Sequence, residues 1–108
     1  MKRRYAAHFA YVTPGVRHKL HAVEVEEGTV TGLFPLQGEE ESTEWLGGII
    51  ILSPSGQASL PPGADFQTLL ETLCGEVLPG APLHAFHLQG VDLATLSLLP
   101  HATLRMLP

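Results

Sequence analysis

The chain has 108 residues, of which 44% are hydrophobic and 16% are charged. This is the profile of one globular domain, because disordered chains combine low hydrophobicity with high net charge. The net charge is −5, with only six lysines and arginines. No basic face is therefore predicted, and the composition argues against nucleic acid as a partner.

The N-terminus and the single cysteine bear on location. Residues 2–4 are basic, but the apolar run that follows at 5–12 contains a histidine and is short and polar for a secretory signal. No stretch approaches the roughly 20 apolar residues that a membrane helix needs. Cys74 cannot form an internal disulfide and fits a reducing compartment. We expect a cytoplasmic protein without membrane association.

The first half of the chain alternates strands and turns. Apolar or alternating runs predict strands at residues 5–12, 20–25 and 29–34, with a hairpin turn at Glu26-Glu27-Gly28. Four glutamates within residues 38–44 predict a solvated loop, with a cation site as the alternative. The continuous apolar run at 49–52 predicts a strand that is buried on both faces.

The second half begins with a connector and a helix. Residues 53–63 are rich in proline and glycine and lack hydrophobic periodicity, which is typical of a linker or extended loop. Asp65 is a candidate N-cap, and Gly75 is placed to end the helix. Between them, apolar residues at i, i+3, i+4 and i+7 predict one amphipathic helix: Phe66, Leu69, Leu70 and Leu73.

After the helix the strand signals return. Residues 83–88 alternate as a strand, Gly90-Val91-Asp92 predicts a turn closed by the Asp92 side chain, and residues 102–107 predict a last short strand. The fold is predicted to be mostly β, a small β-sandwich or partly open barrel built from both chain ends, with one amphipathic helix at about 65–74. A single domain, 1–108, would comprise N-terminal strands (1–54), a connector (55–64), the helix (65–75) and C-terminal strands (83–108).

Several segments resemble a known family when they are taken in order. Residues 10–14 (AYVTP), 22–30 (AVEVEEGTV) and 48–54 (GIIILSP) are similar to the N-terminal sandwich strands of amidohydrolases of the chlorohydrolase and guanine-deaminase type. Residues 66–75 resemble the last barrel helix of that family, and residues 83–93 resemble the strand that returns to the sandwich. The resemblance implies the composite sandwich domain of these enzymes.

The chain departs from the family where the chemistry should begin. In these enzymes the strand and its turn lead into a His-x-His pair that holds a metal. Here Pro54 is followed by residues 55–59 (SGQAS), and only residues 55–65 stand where a barrel needs roughly 200 residues or more. The resemblance thus implies a sandwich without its catalytic barrel. It argues against an enzyme, so no catalytic, cofactor-binding or metal residue is assigned and no cofactor is predicted.

The remaining histidines offer two pairs as alternative metal ligands. His84 and His87 share a His-x-x-His spacing, but on a strand this odd offset sends them to opposite faces. His18 and His21 have the same spacing beside a turn and are interpreted as surface residues. The spacing alone does not decide whether either pair binds a metal. The other histidines stand alone and are interpreted as structural or exposed: His8 and His101.

Nucleophile candidates are interpreted as structural. Cys74 adjoins the apolar stripe of the helix, where a thiol is usually buried and unreactive. Ser53 and Ser55 flank Pro54 without the Gly-x-Ser-x-Gly elbow that exposes a catalytic hydroxyl, and they are predicted to form a turn.

The functional prediction follows from the missing barrel. A sandwich without its barrel exposes an apolar patch that needs a cover, which predicts a structural or interaction module with a protein partner or a second copy. Trp45 and Phe66 are candidates for that contact, unless both belong to the core. Two alternatives are an accessory subunit for a separate amidohydrolase barrel chain and a small metal- or cysteine-dependent hydrolase. The hydrolase would draw its rebuilt site from these residues: His84, His87, Asp92 or Cys74.

Overall fold

The computed structural model describes residues 2–13, 15–36, 43–57, 59–60, 63, 65–74 and 82–108. These residues form seven strands and one helix: β1 (Lys2–Thr13), β2 (Val16–Glu26), β3 (Thr29–Pro35), β4 (Thr43–Trp45), β5 (Ile49–Ser53), α1 (Phe66–Cys74), β6 (His84–Asp92) and β7 (Ser97–Met106). The predicted class, mostly β with one amphipathic helix, is confirmed. Within the described ranges no helix is long and apolar enough to cross a membrane.

All strands belong to one open, mixed sheet. Its order is β3-β2-β1-β5-β6-β7, and β4 pairs with β1. β1 runs antiparallel to β2 but parallel to β4 and β5. β5, the last strand before the connector, pairs antiparallel with β6, the first strand after the helix. The N-terminal strands and the C-terminal strands are therefore joined at the middle of the sheet, through the pairing of β5 with β6.

Each face of the central part of the sheet carries a buried core. On one face α1 packs its apolar stripe against residues of β1, β5 and β6, among them Tyr11, Ile51 and Leu88. On the other face a second core joins Tyr5 in the first strand to Leu107 near the chain end. All five residues of β5 are buried, which confirms the prediction of a strand covered on both sides.

The second core is covered by the curvature of the sheet itself. The Val30 amide of β3 donates a hydrogen bond to the Leu83 carbonyl (2.7 Å), just before β6. His84 Nδ1 donates to the Gly28 carbonyl (2.8 Å) in the β2–β3 turn. These bonds bring an edge strand back against the start of β6, and the sheet takes the form of a partly open barrel.

The sheet bends at one level across three neighbouring strands. Ala7 of β1 belongs to the second core whereas Phe9 belongs to the first, so the alternation of β1 changes phase between them. At this level β2 contains Leu20 with φ of 53°, and Gly47 and Gly48, between β4 and β5, also have positive φ. We call these three positive-φ residues, Leu20, Gly47 and Gly48, the bend.

Several strand boundaries differ from the predictions. β4 was not predicted, and β7 begins at Ser97 instead of residue 102. The predicted turn at Gly90-Val91-Asp92 is wrong, because these residues end β6 and the turn lies at residues 93–96. Gly90 has φ of 79° at a register shift within β6, so its glycine signal marks a bulge. The Asp92 carboxylate does close the turn, accepting a hydrogen bond from the Ala94 amide (2.9 Å).

The helix agrees with its sequence signals. Asp65 Oδ1 accepts a hydrogen bond from the Thr68 amide (2.7 Å), which confirms the N-cap. The four residues of the predicted stripe are all buried. Gly75, expected to end the helix, lies outside the described residues. The same is true of residues 37–42 of the glutamate-rich segment, while Glu44 is an exposed residue of β4.

Candidate functional site

A cleft of about 680 Å³ opens where three remote parts of the chain meet. The tip of the β1–β2 hairpin forms one side, the N-terminal end of α1 a second, and the β6–β7 turn the third. The volume lies within the range of small-ligand sites, roughly 300–1,000 Å³. We call this site the hairpin cleft.

The hairpin cleft has an aromatic and apolar wall. Tyr11 and Phe66 meet edge to face, with ring centroids 5.6 Å apart and planes inclined by 72°. Both rings are buried in the first core, and Leu70, Leu96 and Leu98 extend the wall. Burial raises the pKa of Tyr11, although the charge and hydrogen bond of Arg17 partly oppose this. The Tyr11 hydroxyl is therefore neutral at pH 7.

The rim of the hairpin cleft is polar. The Arg17 guanidinium lies 4.5 Å from the centroid of the Phe9 ring, and this stacking orients it at the hairpin tip. Asp65, also on the rim, already accepts the N-cap hydrogen bond from Thr68, which lowers its pKa. Thr95 Oγ1 donates to Ser97 Oγ (2.9 Å) on the third side. The rim thus carries a positive charge, that of Arg17, and a negative charge, that of the Asp65 carboxylate that caps the helix.

Sequence reasoning missed the hairpin cleft because its walls are far apart in the chain. Phe66 was singled out, but as a contact for a partner. Arg17 lies before residue 20, where the predicted strand began, and a single arginine there carries no local signal. Only the packing of α1 against β1 brings Tyr11 and Phe66 together.

The structure separates His84 and His87. Both lie in β6, so their odd spacing places them on opposite faces, as predicted. His84 Nδ1 donates to the Gly28 carbonyl, and His87 Nε2 donates to the Gly47 carbonyl (3.1 Å). Burial lowers the pKa of His87, which is 2% exposed. Each histidine fastens a different loop to β6.

The nucleophile candidates are engaged in structure. Cys74 is fully buried at the end of α1, and burial raises the pKa of its thiol to about 11. Ser53 Oγ donates to the Leu73 carbonyl and accepts from the Ser55 amide (3.1 Å). Ser55 Oγ donates to the Gln57 carbonyl (2.7 Å). The predictions of a buried thiol and of turn-forming serines are confirmed, and Ser53 also ties β5 to the end of α1.

The two proposed contact residues differ in exposure. Phe66 is 6% exposed and belongs to the first core, so the alternative reading as a core residue is correct for it. Trp45 is 53% exposed and packs edge-on against His8, with centroids 5.0 Å apart. Of the isolated histidines, His8 is partly buried beside Trp45 and His101 is exposed on β7.

The residues considered for a rebuilt hydrolase site are not brought together. Among the residues that the structure describes, no three His, Cys, Asp or Glu side chains form a group able to hold a metal. The hairpin cleft, in contrast, is assembled by the fold from residues that are distant in the sequence. Compared with protein families, curated proteins and solved structures, the chain matches no family model, no curated protein and no solved structure.

Proposed function

We propose that this chain is a non-catalytic binding domain whose hairpin cleft receives a carboxylate carrying an apolar or aromatic body. The observation that carries the proposal is the position of Arg17 beside the wall formed by Tyr11 and Phe66. The planar guanidinium matches a carboxylate with two parallel hydrogen bonds, and its stacking on Phe9 reduces the entropy lost on binding.

The rest of the ligand follows from the same lining. An aromatic or branched group would pack on Phe66 and Leu70, removing apolar surface from water. The hydroxyls of Thr95 and Ser97 can bond a further polar atom. This chemistry is available in a free aryl acid and in an acidic residue beside an aromatic one on a partner protein.

The non-catalytic part of the proposal rests on how the reactive groups are used. His84 and His87 bond backbone carbonyls, the Cys74 thiol is buried with a raised pKa, and Asp92 closes a turn. A group held in this way is not poised for acid–base or nucleophilic work. The rebuilt-hydrolase alternative therefore has little support.

Kinship with the amidohydrolase sandwich remains a part of the proposal. It is supported by the pairing of β5 with β6, since removal of a barrel between them would leave these two strands as neighbours. A reducing, cytoplasmic location is also proposed, from the single cysteine. A role as the sandwich domain of a separate barrel chain would be compatible with this kinship and with this location.

Binding is testable by NMR titration of the isotopically labelled chain. Phenylacetate and indole-3-acetate should shift the backbone amides of the cleft, especially at Arg17, Phe66 and Leu96. Phenylacetamide, which lacks the charge, should bind about tenfold more weakly. A blocked Phe-Glu dipeptide provides the second arm, since tighter binding than phenylacetate would indicate a protein partner.

Two variants remove the same charge at opposite ends of the hairpin. Arg17→Gln should weaken carboxylate binding about tenfold. Arg3→Gln, exposed at the other end of β1 and outside the cleft, should leave it unchanged. The proposal is wrong if no carboxylate shifts the cleft amides, or if both variants weaken binding equally.

A further inference from the structure

His18 and His21 approach each other closely on β2. Their ring centroids are 5.0 Å apart, and the ring planes are inclined by 58°. In a regular strand, residues three apart point to opposite faces. The contact between these rings therefore depends on a local departure from strand geometry.

That departure is Leu20, which lies between the two histidines with φ of 53°. The left-handed region is unfavourable for leucine, and the Leu20 side chain is 45% exposed, so little burial compensates for the strain. The surrounding sheet holds the conformation, because His18 pairs with Ala10, His21 pairs with Ala7 and the Leu20 carbonyl accepts from the Leu36 amide (3.0 Å). Strained residues of this kind concentrate at functional sites.

The hydrogen bonding of His21 fixes its tautomer. Its Nδ1 lies 3.0 Å from the Lys19 carbonyl, which can only accept, so Nδ1 carries the proton. The neutral ring then has its lone pair on Nε2. Metal-binding histidines commonly donate their other ring N–H to a backbone carbonyl in this manner.

We propose that His18 and His21 together bind a late first-row divalent metal, Cu²⁺ more tightly than Zn²⁺. Two imidazoles bound at about 2.1 Å to one ion, either in neighbouring positions of tetragonal Cu²⁺ or at two corners of tetrahedral Zn²⁺, place their ring centroids roughly 5 Å apart. The rings of His18 and His21 have this spacing, with centroids 5.0 Å apart. Cu²⁺ exceeds Zn²⁺ in affinity for nitrogen ligands. In the part of the chain that the structure describes, no third His, Cys, Asp or Glu completes the group, so water fills the remaining positions.

This site is separate from the hairpin cleft, since neither histidine lines it. It goes beyond the proposed carboxylate binding and does not depend on it. Loss of one property in a variant would leave the other measurable, because Arg17→Gln keeps both imidazoles and the histidine variants keep the guanidinium.

The test uses the full chain without a histidine tag. The chain is titrated with CuSO₄ and ZnCl₂ in a calorimeter at about 0.15 M salt. The salt weakens the repulsion between the metal ion and the charges of Arg17 and Lys19. We expect one Cu²⁺ per chain, with electron paramagnetic resonance showing two imidazole nitrogens. His18→Gln and His21→Gln should each weaken binding about tenfold or more, whereas His101→Gln, an exposed histidine on β7, should not.

The partly exposed positions of both histidines make folded variants accessible, and circular dichroism would verify the fold. A second readout is the chemical shift of the imidazole nitrogens, which Zn²⁺ should move in His18 and His21 but not in His84. Absence of stoichiometric Cu²⁺ binding, or equal affinity in the wild type and in the His18→Gln and His21→Gln variants, would overturn the proposal.

Discussion

His87 is a titratable side chain that the fold uses as a structural donor. It is 2% exposed and donates from Nε2 to the Gly47 carbonyl in the bend. Burial lowers its pKa, and the charge of Arg105 acts in the same direction, while the Gly47 hydrogen bond and Glu44 oppose them. At neutral pH the folded chain therefore keeps this imidazole uncharged.

This state makes stability depend on pH. The unfolded chain takes up a proton near pH 6.5, above the folded pKa, so the full stability is present above about pH 6.5 and decreases as the pH falls toward the folded value. We expect His87→Gln, which keeps a side-chain donor without a titratable group, to lose less stability between about pH 7.5 and 5.5. Urea unfolding across that range measures the difference, and parallel curves would contradict the expectation.

Single-residue roles were predictable where they are local. The turn at Asp92, the turn at Ser55 and the N-cap at Asp65 each join groups two or three residues apart, so the sequence shows both partners. The Gly47 carbonyl that His87 contacts is 40 residues away. No local pattern indicates such a pair, which is why His87 could be placed on a face but not given a partner.

At the level of elements, the two glycines of the bend set where β4 ends and where β5 begins its pairing with β1. Gly47 and Gly48 have φ of 69° and 60°, and they separate β4 from β5 along the same edge of β1. A Cβ atom on Gly48 would lie 2.6 Å from the Leu88 carbonyl oxygen, a backbone atom that cannot move aside. Both the conformation and the space at this position require glycine.

Gly48→Ala should therefore destabilise the domain by more than about 1 kcal/mol. Gly15→Ala is the matched control, because no atom lies within 4 Å of its added Cβ and its φ is not in the left-handed region. It should be neutral or slightly stabilising. Unfolding free energies from urea titration give the comparison, and equal values for the two variants would show that the contact at Leu88 does not matter.

Long, strongly patterned elements were predictable and short ones were not. The stripe of α1 and the apolar run of β5 are complete within their own segments. β4 has three residues and exists because it pairs with Arg4–Ala6 of β1, which its own sequence does not reveal. Gly90 shows the same limit, since glycine with positive φ occurs both in turns and in bulges.

At the scale of the whole molecule, the end of the chain completes a core that begins with its first strand. Leu107 is fully buried in the second core beside Tyr5, and its amide donates to the Ala85 carbonyl (2.8 Å). Tyr5 Oη donates to the Pro108 carbonyl (3.1 Å). Contacts between the two termini are thus part of the fold.

Leu107→Ala should cost about 2–5 kcal/mol of unfolding free energy, the range for truncating a buried leucine. Its neighbour Met106 is 44% exposed, and Met106→Ala should change stability by only about 0.5 kcal/mol. Chemical denaturation monitored by the fluorescence of Trp45 compares them. A loss below about 1 kcal/mol for the Leu107 variant would mean that the last residues are dispensable for the core.

The sequence alone determined the mostly β class, the helix and its cap, the buried central strand, and the structural use of Cys74 and the serines. These follow from periodicity and from hydrogen bonds between near neighbours, which are both written in consecutive residues. Tertiary structure decided the hairpin cleft, the bend and the approach of His18 to His21. Each of these depends on the strained φ of Leu20 or on contacts between remote segments, and such contacts form only when the whole sheet has assembled.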